Sequence, residues 1–341
     1  MTIPKQKKDV RRFSCLQVTV LLLFLLFGTG TLSAAVAATG LKKASLMPLW
    51  SPQAQFAGYY VALEKGIYAR HGIDLTILEG GPGHSSAQAL QDGTADFAVL
   101  WLTTALQQND SGHRLVNLAQ IIQESSMMLV ARKSRGITTP AAMQGKKVGL
   151  WGGDLALPAE AFFTKYRLQV NRIPQSYTVN LFLRGGVDVA SVMWYNEYHT
   201  ILNSGINPEE LDLFFLNEHG IAFPEDGLYT LKETYRQDPA LADAFARASL
   251  EGWRYAFDHP EEAVDIVLRS MREAKVPANR AHQTWMLERM HDLIVPEKND
   301  EEMGRLSPSD YAAVTDALRD MDHITTVIGY DDFIGRLDVH H

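Results

Sequence analysis

The sequence predicts an α/β fold that is divided into two lobes. Strand-like and helix-like segments alternate along residues 38–341, which is typical of a protein built on largely parallel sheets. The alternation restarts after the polar segment 133–144, and beyond residue 227 the chain reads as one strand followed by helices. These three observations predict two lobes and two crossings between them: residues 38–133 with residues 227–341, and residues 134–226.

In the first half of the chain, short apolar runs bounded by glycine or polar turns indicate buried strands. The predicted strands are Ala44–Leu49, Leu75–Leu78, Phe97–Trp101 and Met127–Ala131. Helices are predicted over Phe56–Lys65, which Gly66 stops, and after Ser85 or Ser86, either of which can cap a helix that ends at Asp92-Gly93.

In the second half the same pattern continues and then becomes helical. The predicted strands are Lys147–Trp151, Val187–Trp194, a segment near Leu213–Leu216, and residues 228–231. The predicted helices are Ala159–Tyr166, Ala240–Phe257, Pro260–Arg272 and Ala281–Leu293. We expect the helical tail to return to the first lobe.

The N-terminus has the pattern of an export signal. Basic residues precede the apolar run Val18–Phe27 (VTVLLLFLLF), and small residues lead to Ala35-Val36-Ala37, an A-x-A cleavage pattern. This run is shorter than the roughly 20 residues that a spanning helix needs. We therefore expect residues 1–37 to be a cleavable signal peptide and the mature protein to begin near Ala38 in the periplasm. The pair Arg11-Arg12 leaves both general and twin-arginine export open.

Charge and composition exclude several classes of protein. The chain has a formal net charge of −8, and residues 1–37 carry five basic residues and one acidic residue, so the mature chain is near −12. An acidic chain without a Lys/Arg tract argues against nucleic-acid binding. The single cysteine, Cys15, precedes the apolar run, which argues against a lipid anchor and leaves the mature chain without cysteine. The histidines lack metal-ligand spacing, so we expect no bound metal. We also expect no cofactor and a monomeric protein.

Six motifs follow one another as they do in a known family of carriers. They are Leu49–Leu75 (LWSPQAQFAGYYVALEKGIYARHGIDL), Gly80–Gly83 (GGPG), Leu90–Phe97 (LQDGTADF), Ala119–Gln123 (AQIIQ), Gly145–Gly153 (GKKVGLWGG) and Met193–Glu197 (MWYNE). Through them the sequence resembles the periplasmic binding proteins for thiamine-pyrimidine precursors, in the superfamily that also binds sulfonates, nitrate and taurine. The resemblance implies a type II periplasmic-binding-protein (Venus flytrap) fold, with an aminopyrimidine held between two lobes and delivered to an ABC permease and its ATPase.

Tryptophans at strand ends are candidates for stacking on an aromatic ligand. Four of them stand at or just past the ends of predicted strands: Trp50, Trp101, Trp151 and Trp194. Ligands of open α/β sheets bind beyond the carboxyl ends of strands, and indole faces can hold a heteroaromatic ring between them. Each could instead belong to a lobe core. For Trp253 and Trp285, which lie in the helical tail, we expect core packing.

The segment Tyr195-Asn196-Glu197 carries the polar groups best suited to an aminopyrimidine. A carboxylate accepts from the exocyclic amine, and an asparagine offers both a donor and an acceptor. The competing interpretation is a helix N-terminus, with Asn196 as its cap and Glu197 favoured by the helix dipole. Gly81 and Gly83 allow close approach of the backbone to a ligand, or form a plain turn. Glu225-Asp226, near the second crossing, could contact the ligand or form a solvated turn, and we favour the turn.

An enzymatic function is disfavoured by the residues themselves. The fungal members of the superfamily build the thiamine pyrimidine with a lysine, a histidine four residues further on and a cysteine-rich iron motif. Aligned from Asp96-Phe97, this sequence has Leu100 and Thr104, and Gly220–Gly227 contains no cysteine. Leucine and threonine cannot replace a Schiff-base lysine and an imidazole. The alternatives that stay open are a carrier of riboflavin or of a sulfonate- or nitrate-like anion, a ligand-presenting module for a membrane sensor, and an unrecognised exported enzyme.

Overall fold

The computed structural model describes residues 40–295 and 302–335, together with Thr2. The predicted signal peptide and its cleavage site lie, apart from Thr2, outside the described residues. Within the described ranges, no helix is long and apolar enough to cross a membrane.

Ten strands and thirteen α-helices can be assigned in the described part of the chain. The strands are β1 (Lys42–Met47), β2 (Ile73–Ile77), β3 (Phe97–Trp101), β4 (Leu115–Gln120), β5 (Met127–Arg132), β6 (Lys147–Leu150), β7 (Asn171–Pro174), β8 (Val189–Met193), β9 (Leu211–Phe215) and β10 (Asp226–Leu231). The helices are α1 (Ala57–Glu64), α2 (Ile67–Arg70), α3 (Ser86–Gln91), α4 (Leu102–Asp110), α5 (Leu157–Lys165), α6 (Asn180–Leu183), α7 (Glu197–Asn203), α8 (Lys232–Gln237), α9 (Pro239–Asp258), α10 (Pro260–Glu273), α11 (Arg280–Ile294), α12 (Pro308–Asp320) and α13 (Tyr330–Phe333). Short 3₁₀ turns include Ala54–Phe56 and Gly153–Ala156.

The strands form two five-stranded mixed sheets, which confirms the predicted α/β class. The first sheet has the order β2-β1-β3-β10-β4, and the second has the order β7-β6-β8-β5-β9. In each sheet helices connect the parallel strands, and one strand runs antiparallel between two others: β10 between β3 and β4, and β5 between β8 and β9. The two sheets therefore have the same topology.

The first passage between the sheets lies earlier than the sequence suggested. The strand β5 is hydrogen-bonded to β8 and β9, so the chain leaves the first sheet at residues 121–126 and not after residue 133. The polar segment 133–144 follows β5 inside the second half, where it leads into β6. The return passage lies between β9 and β10.

Two glycines bring helices α1 and α9 into backbone contact. A Cβ atom added at Gly252 would lie 2.2 Å from the carbonyl oxygen of Gly58, and one added at Gly58 would lie 2.4 Å from the Trp253 ring. Trp253 is fully buried and packs edge-on against Tyr59, with ring centroids 5.8 Å apart. Core packing is thus confirmed for Trp253.

Helix α11 connects the tail to both halves of the molecule. It packs against α10 and against the turn Ala54–Phe56, where the backbone N–H of Ala54 donates to Gln283 Oε1 (2.7 Å). It also contacts α7, which follows a strand of the second sheet. Because α7 begins at Glu197, its contact with α11 brings α11 close to the candidate site.

Candidate ligand-binding site

A cavity of about 430 Å³ is lined by residues from both sheets, a volume in the range typical of small-molecule sites. From the first sheet come residues that follow β1 and β2 and residues at the end of β3; from the second come residues that follow β6, β7 and β8. The cavity therefore lies beyond the carboxyl ends of strands, where ligands of open α/β sheets bind.

Three of the four predicted tryptophans line this cavity. Trp101 and Trp151 are almost completely buried, and Trp50 is half-buried with its ring edge-on to Tyr177 at 4.5 Å between centroids. Tyr177, which is 56% exposed, is a further lining aromatic that was not predicted. Flat faces from both halves of the chain thus meet around one space.

The fourth tryptophan, Trp194, is not among the residues that line the cavity. Trp194 lies in the turn that follows β8, and its neighbours Met193 and Tyr195 line the cavity whereas its own side chain does not. Its ring packs edge-on against Phe215 (6.0 Å) and beneath the guanidinium of Arg289 (5.0 Å). The prediction that Trp194 stacks on the ligand is therefore not supported by the geometry.

Glu197 places a carboxylate in the cavity wall. The backbone N–H of Met193 donates to its Oε2 (3.0 Å), and the Asn196 Nδ2–H donates to its Oε1 (2.9 Å). Burial raises the pKa of the Glu197 carboxyl to about 7, and the backbone N–H groups at Met193 and at Glu197 itself only partly offset this. Since a carboxylate has about four acceptor positions, these donors leave at least one for a ligand.

Asn196 does not cap helix α7. No backbone N–H of the helix donates to its side chain. Its Oδ1 instead lies 2.9 Å from His282 Nε2, while its Nδ2 bonds Glu197. The helix-cap interpretation is therefore wrong for Asn196, whose side chain connects the cavity carboxylate to helix α11.

Glu225 and Asp226 are buried, so the expectation of a solvated turn is wrong. Glu225 accepts from the backbone N–H (2.6 Å) and hydroxyl (2.8 Å) of Ser126 and from the backbone N–H of Met127 (3.2 Å). Asp226 accepts from the amide of Gln55 (2.8 Å), which also lines the cavity. Burial raises the pKa of Glu225 to about 8 and that of Asp226 to about 7.

The glycine turn between β2 and α3 lies against the residues that follow β1. Gly81 and Gly83 line the cavity and have φ values of +136° and +90°. A Cβ atom at Gly81 would lie 2.5 Å from Ser51 Oγ. Glycine is thus needed for the turn to approach the segment that carries Trp50, which fits both interpretations of these residues.

The charges around the cavity are acidic. Glu197 and Asp154 line it, and Tyr195 has a pKa raised well above its usual value by burial and by Glu225, Asp226 and Glu197. None of the described lining residues is a lysine or an arginine, and His84 lies at the exposed rim. Such a wall favours a neutral or protonated nitrogen compound over an anion.

Two further lining residues occupy the positions at which the enzymes of the superfamily carry reactive side chains. Leu100 and Thr104, which stand at the positions of the lysine and histidine that the resemblance assigns to those enzymes, both line the cavity. The described residues contain no group of three or more His, Cys, Asp or Glu side chains that could hold a metal ion.

The buried carboxyls predict a stability that falls as the pH rises from 6.5 to 8. Their pKa values are raised on folding, so in this window the folded state binds more protons than the unfolded state, and the free energy of unfolding decreases with pH. Burial lowers the pKa of His282 to about 4, so this residue affects the pH dependence of stability mainly below pH 6.5. Urea unfolding should show that the free energy of unfolding is lower at pH 8 than at pH 6.5 by on the order of 2 kcal/mol. This difference should be smaller in Glu225→Gln. A flat profile would contradict the raised pKa values.

The chain is similar in sequence both to proteins named as carriers and to proteins named as synthases. A 4-amino-5-hydroxymethyl-2-methylpyrimidine phosphate synthase of Legionella pneumophila is 24% identical, with 69% of this chain and 76% of the relative covered. A formylaminopyrimidine-binding protein of Halalkalibacterium halodurans is 22% identical (76% and 80% covered), and the riboflavin-binding protein RibY of Chloroflexus aurantiacus is 27% identical (69% and 68% covered).

Solved structures and a family model agree with the predicted fold. The periplasmic aliphatic sulphonate binding protein SsuA of Escherichia coli superposes with a TM-score of 0.64 at 12% identity, covering 86% of this chain and 92% of SsuA. The predicted periplasmic-binding-protein fold is thereby confirmed. The model of the family described as NMT1/THI5 like matches residues 53–263, more than half of the 341 residues. The six ordered motifs and this match lead to one conclusion: the chain belongs to the NMT1/THI5-like family.

Proposed function

We propose that the protein is the solute-binding component of an ABC importer and carries an aminopyrimidine, a precursor of thiamine, through the periplasm as a monomer. One observation carries the proposal: the cavity combines Trp50, Trp101 and Trp151 with the Glu197 carboxylate, and its described lining contains no lysine or arginine. The formylaminopyrimidine-binding relative supports this ligand class.

The proposed binding mode uses stacking and one charged hydrogen bond. The aminopyrimidine ring lies between indole faces, and Glu197 accepts from the exocyclic amine. A carboxyl with a pKa of about 7 can also share a proton with the neighbouring ring nitrogen. We further propose that the two sheets form the cores of two lobes that close on the ligand.

The cavity gives less support to the other ligands and to an enzyme. A sulfonate or nitrate would meet carboxylates without a balancing cation in the described lining. Riboflavin, the ligand named for one relative, shares the aromatic ring and is the second candidate. Leu100 and Thr104 supply neither an amine nor an imidazole, which supports a carrier over a pyrimidine synthase.

Calorimetry on the purified protein tests the ligand. We expect 4-amino-5-hydroxymethyl-2-methylpyrimidine or its formylamino analogue to bind one-to-one with micromolar or better affinity, as a closed stacked site allows. Riboflavin and an alkylsulfonate are titrated in parallel. Binding of either of these alone would overturn the aminopyrimidine assignment, and conversion of the bound pyrimidine, followed by mass spectrometry, would overturn the carrier assignment.

Export is tested by the N-terminus of the protein isolated from cells. We expect a periplasmic protein that begins close to Ala38, since cleavage after Ala35-Val36-Ala37 removes the basic and apolar segments. N-terminal sequencing that finds Met1 retained, or mass spectrometry that finds a lipidated residue, would contradict the proposal. Association of the liganded protein with a permease and ATPase pair, and not with a sensor kinase, distinguishes an importer from a sensor.

A further inference from the structure

A chain of hydrogen bonds runs from the cavity to the opposite side of the site. Asn196 donates to Glu197 Oε1 (2.9 Å), and the Asn196 Oδ1 lies 2.9 Å from His282 Nε2. Glu197 and Asn196 follow strand β8 of the second sheet, whereas His282 lies in the first turn of α11, next to Gln283, which bonds the segment that follows β1. The chain therefore joins the cavity carboxylate to a helix that is anchored on the first sheet.

The donors and acceptors of this chain can be assigned from chemistry. An ionised Glu197 only accepts, so Asn196 must present its amide N–H to Glu197 and its carbonyl oxygen to His282. His282 must then donate through Nε2–H. Burial, followed by the neighbouring His199, lowers the pKa of His282 to about 4, so the ring is neutral near pH 7 and its Nδ1 is bare. This bare nitrogen lies 2.8 Å from His199 Nδ1, which must therefore carry a proton and donate, so the Asn203 amide 3.2 Å from the same His199 nitrogen must present its oxygen.

The surroundings hold the His282 ring in this orientation. The His199 ring lies beside it, nearly coplanar (21°) with ring centroids 5.1 Å apart, and His199 is itself stacked on Trp285 at 4.8 Å. The side chain of Asn279 caps the helix by accepting from the backbone N–H of His282 (3.1 Å). The Arg289 guanidinium lies 4.7 Å from the Trp285 ring centroid. The contact of Nδ1 with His199 fixes one edge of the His282 ring, and the opposite nitrogen, Nε2, faces Asn196.

We propose that His282 is a positioning residue for ligand binding, which acts through Asn196 to keep the Glu197 carboxylate ionised and oriented toward the cavity. The proposal rests on the proposed function in one respect, namely that Glu197 accepts from the ligand. Without the Nε2–H donor, the Asn196 amide is free to rotate and present its oxygen to Glu197. That orientation would favour the protonated carboxyl, which accepts from an amine without the charge that strengthens the bond.

The first test is calorimetry with 4-amino-5-hydroxymethyl-2-methylpyrimidine as the probe. His282→Phe keeps a flat ring beside His199 but has no donor, and we expect about tenfold weaker binding. His282→Gln restores an N–H at the position of Nε2 and should bind within about threefold of the wild type. His291→Phe, the same substitution further along α11 at a ring that packs on Phe257, is the matched control and should bind as the wild type does.

A double-mutant cycle tests whether the effect passes through Asn196. Asn196→Ala should weaken binding by about as much as His282→Phe, and the double variant should be no weaker than Asn196→Ala alone. Unchanged affinity in His282→Phe, or a further tenfold loss when it is added to Asn196→Ala, would overturn the proposal.

A measurement without ligand separates this proposal from the proposed function. The carboxyl carbon of Glu197 is followed by NMR during a pH titration of the wild type and of His282→Phe. We expect the midpoint to rise in the variant, and the histidine ring nitrogens of the wild type to report an Nε2–H tautomer at His282. If the wild type does not bind the probe, the ligand assignment fails, and an unshifted Glu197 midpoint would still overturn the role of His282.

Discussion

Replacing Glu197 with glutamine is expected to weaken binding of the aminopyrimidine probe by about 30- to 1,000-fold. The substitution keeps the shape of the side chain but removes its charge and places an amide N–H where an acceptor was needed. In a cavity lined in part by buried tryptophan, the amine of the ligand would lose a charge-assisted bond and face a donor. Loss of both interactions is worth roughly 2–4 kcal/mol.

The free energy of unfolding should change much less than the affinity. Glutamine retains one oxygen, which can still accept from the backbone N–H of Met193, so we expect a loss of about 1 kcal/mol without ligand. Asp154→Asn is the charge-matched control, because Asp154 also lines the cavity. An equal loss of affinity in both variants would mean that only the overall negative potential matters. Retained affinity with reduced stability would make Glu197 structural.

The fold was predictable where short apolar runs form buried strands, as in β3 and β5. The two strands that were not predicted, β4 and β7, lack this pattern. In β4 the polar side chains of Asn117 and Gln120 are fully buried because they bond to each other and to the backbone of residues 122, 225 and 226. The strand β7 is a largely exposed edge strand. Neither kind of strand carries an apolar run.

The site was predictable as far as local order determines it. Strand ends supplied Trp50, Trp101 and Trp151 as lining residues of the candidate cavity. The same argument failed at Trp194 because a strand end fixes a position along the sheet but not the direction of a side chain in the turn that follows. Tyr177 and His282 reach the site only through tertiary contacts, so no local pattern indicates them. The burial of Glu225 and Asp226 was missed for the same reason, because their partners Ser126 and Gln55 are distant in the sequence.

Those partners also indicate how the two passages between the sheets are held together. Glu225 belongs to the return passage, and the donors that it binds belong to the first passage, around Ser126. The carboxyl therefore replaces, at the junction, the backbone hydrogen bonds that the donors would make in a continuous sheet. Asp226 extends the connection to Gln55 and hence to the cavity.

Replacing Glu225 with alanine is accordingly expected to lower the free energy of unfolding by about 2–4 kcal/mol. The change leaves the backbone N–H of Ser126 buried without its acceptor, leaves the Ser126 hydroxyl with only the Met193 Sδ (3.5 Å), and leaves the backbone N–H of Met127 with only Ser125 Oγ (3.3 Å). Urea unfolding of the ligand-free protein measures the loss. Glu225→Gln, which keeps one oxygen and the volume of the side chain, should lose about half as much.

Ser125→Ala provides the matched control for the same junction. It removes one long bond to Glu225 (3.3 Å) and one that Ser125 Oγ accepts from the backbone N–H of Met127 (3.3 Å), but it leaves the Ser126 donors and their acceptor in place, so we expect a loss of only about 1 kcal/mol. A loss of that small size in Glu225→Ala as well would mean that water satisfies the Ser126 donors and that the carboxyl does not hold the passages together. A large loss in Glu225→Ala with a small one in Ser125→Ala is the expected pattern, because the free energy depends on the number of buried donors left without a partner.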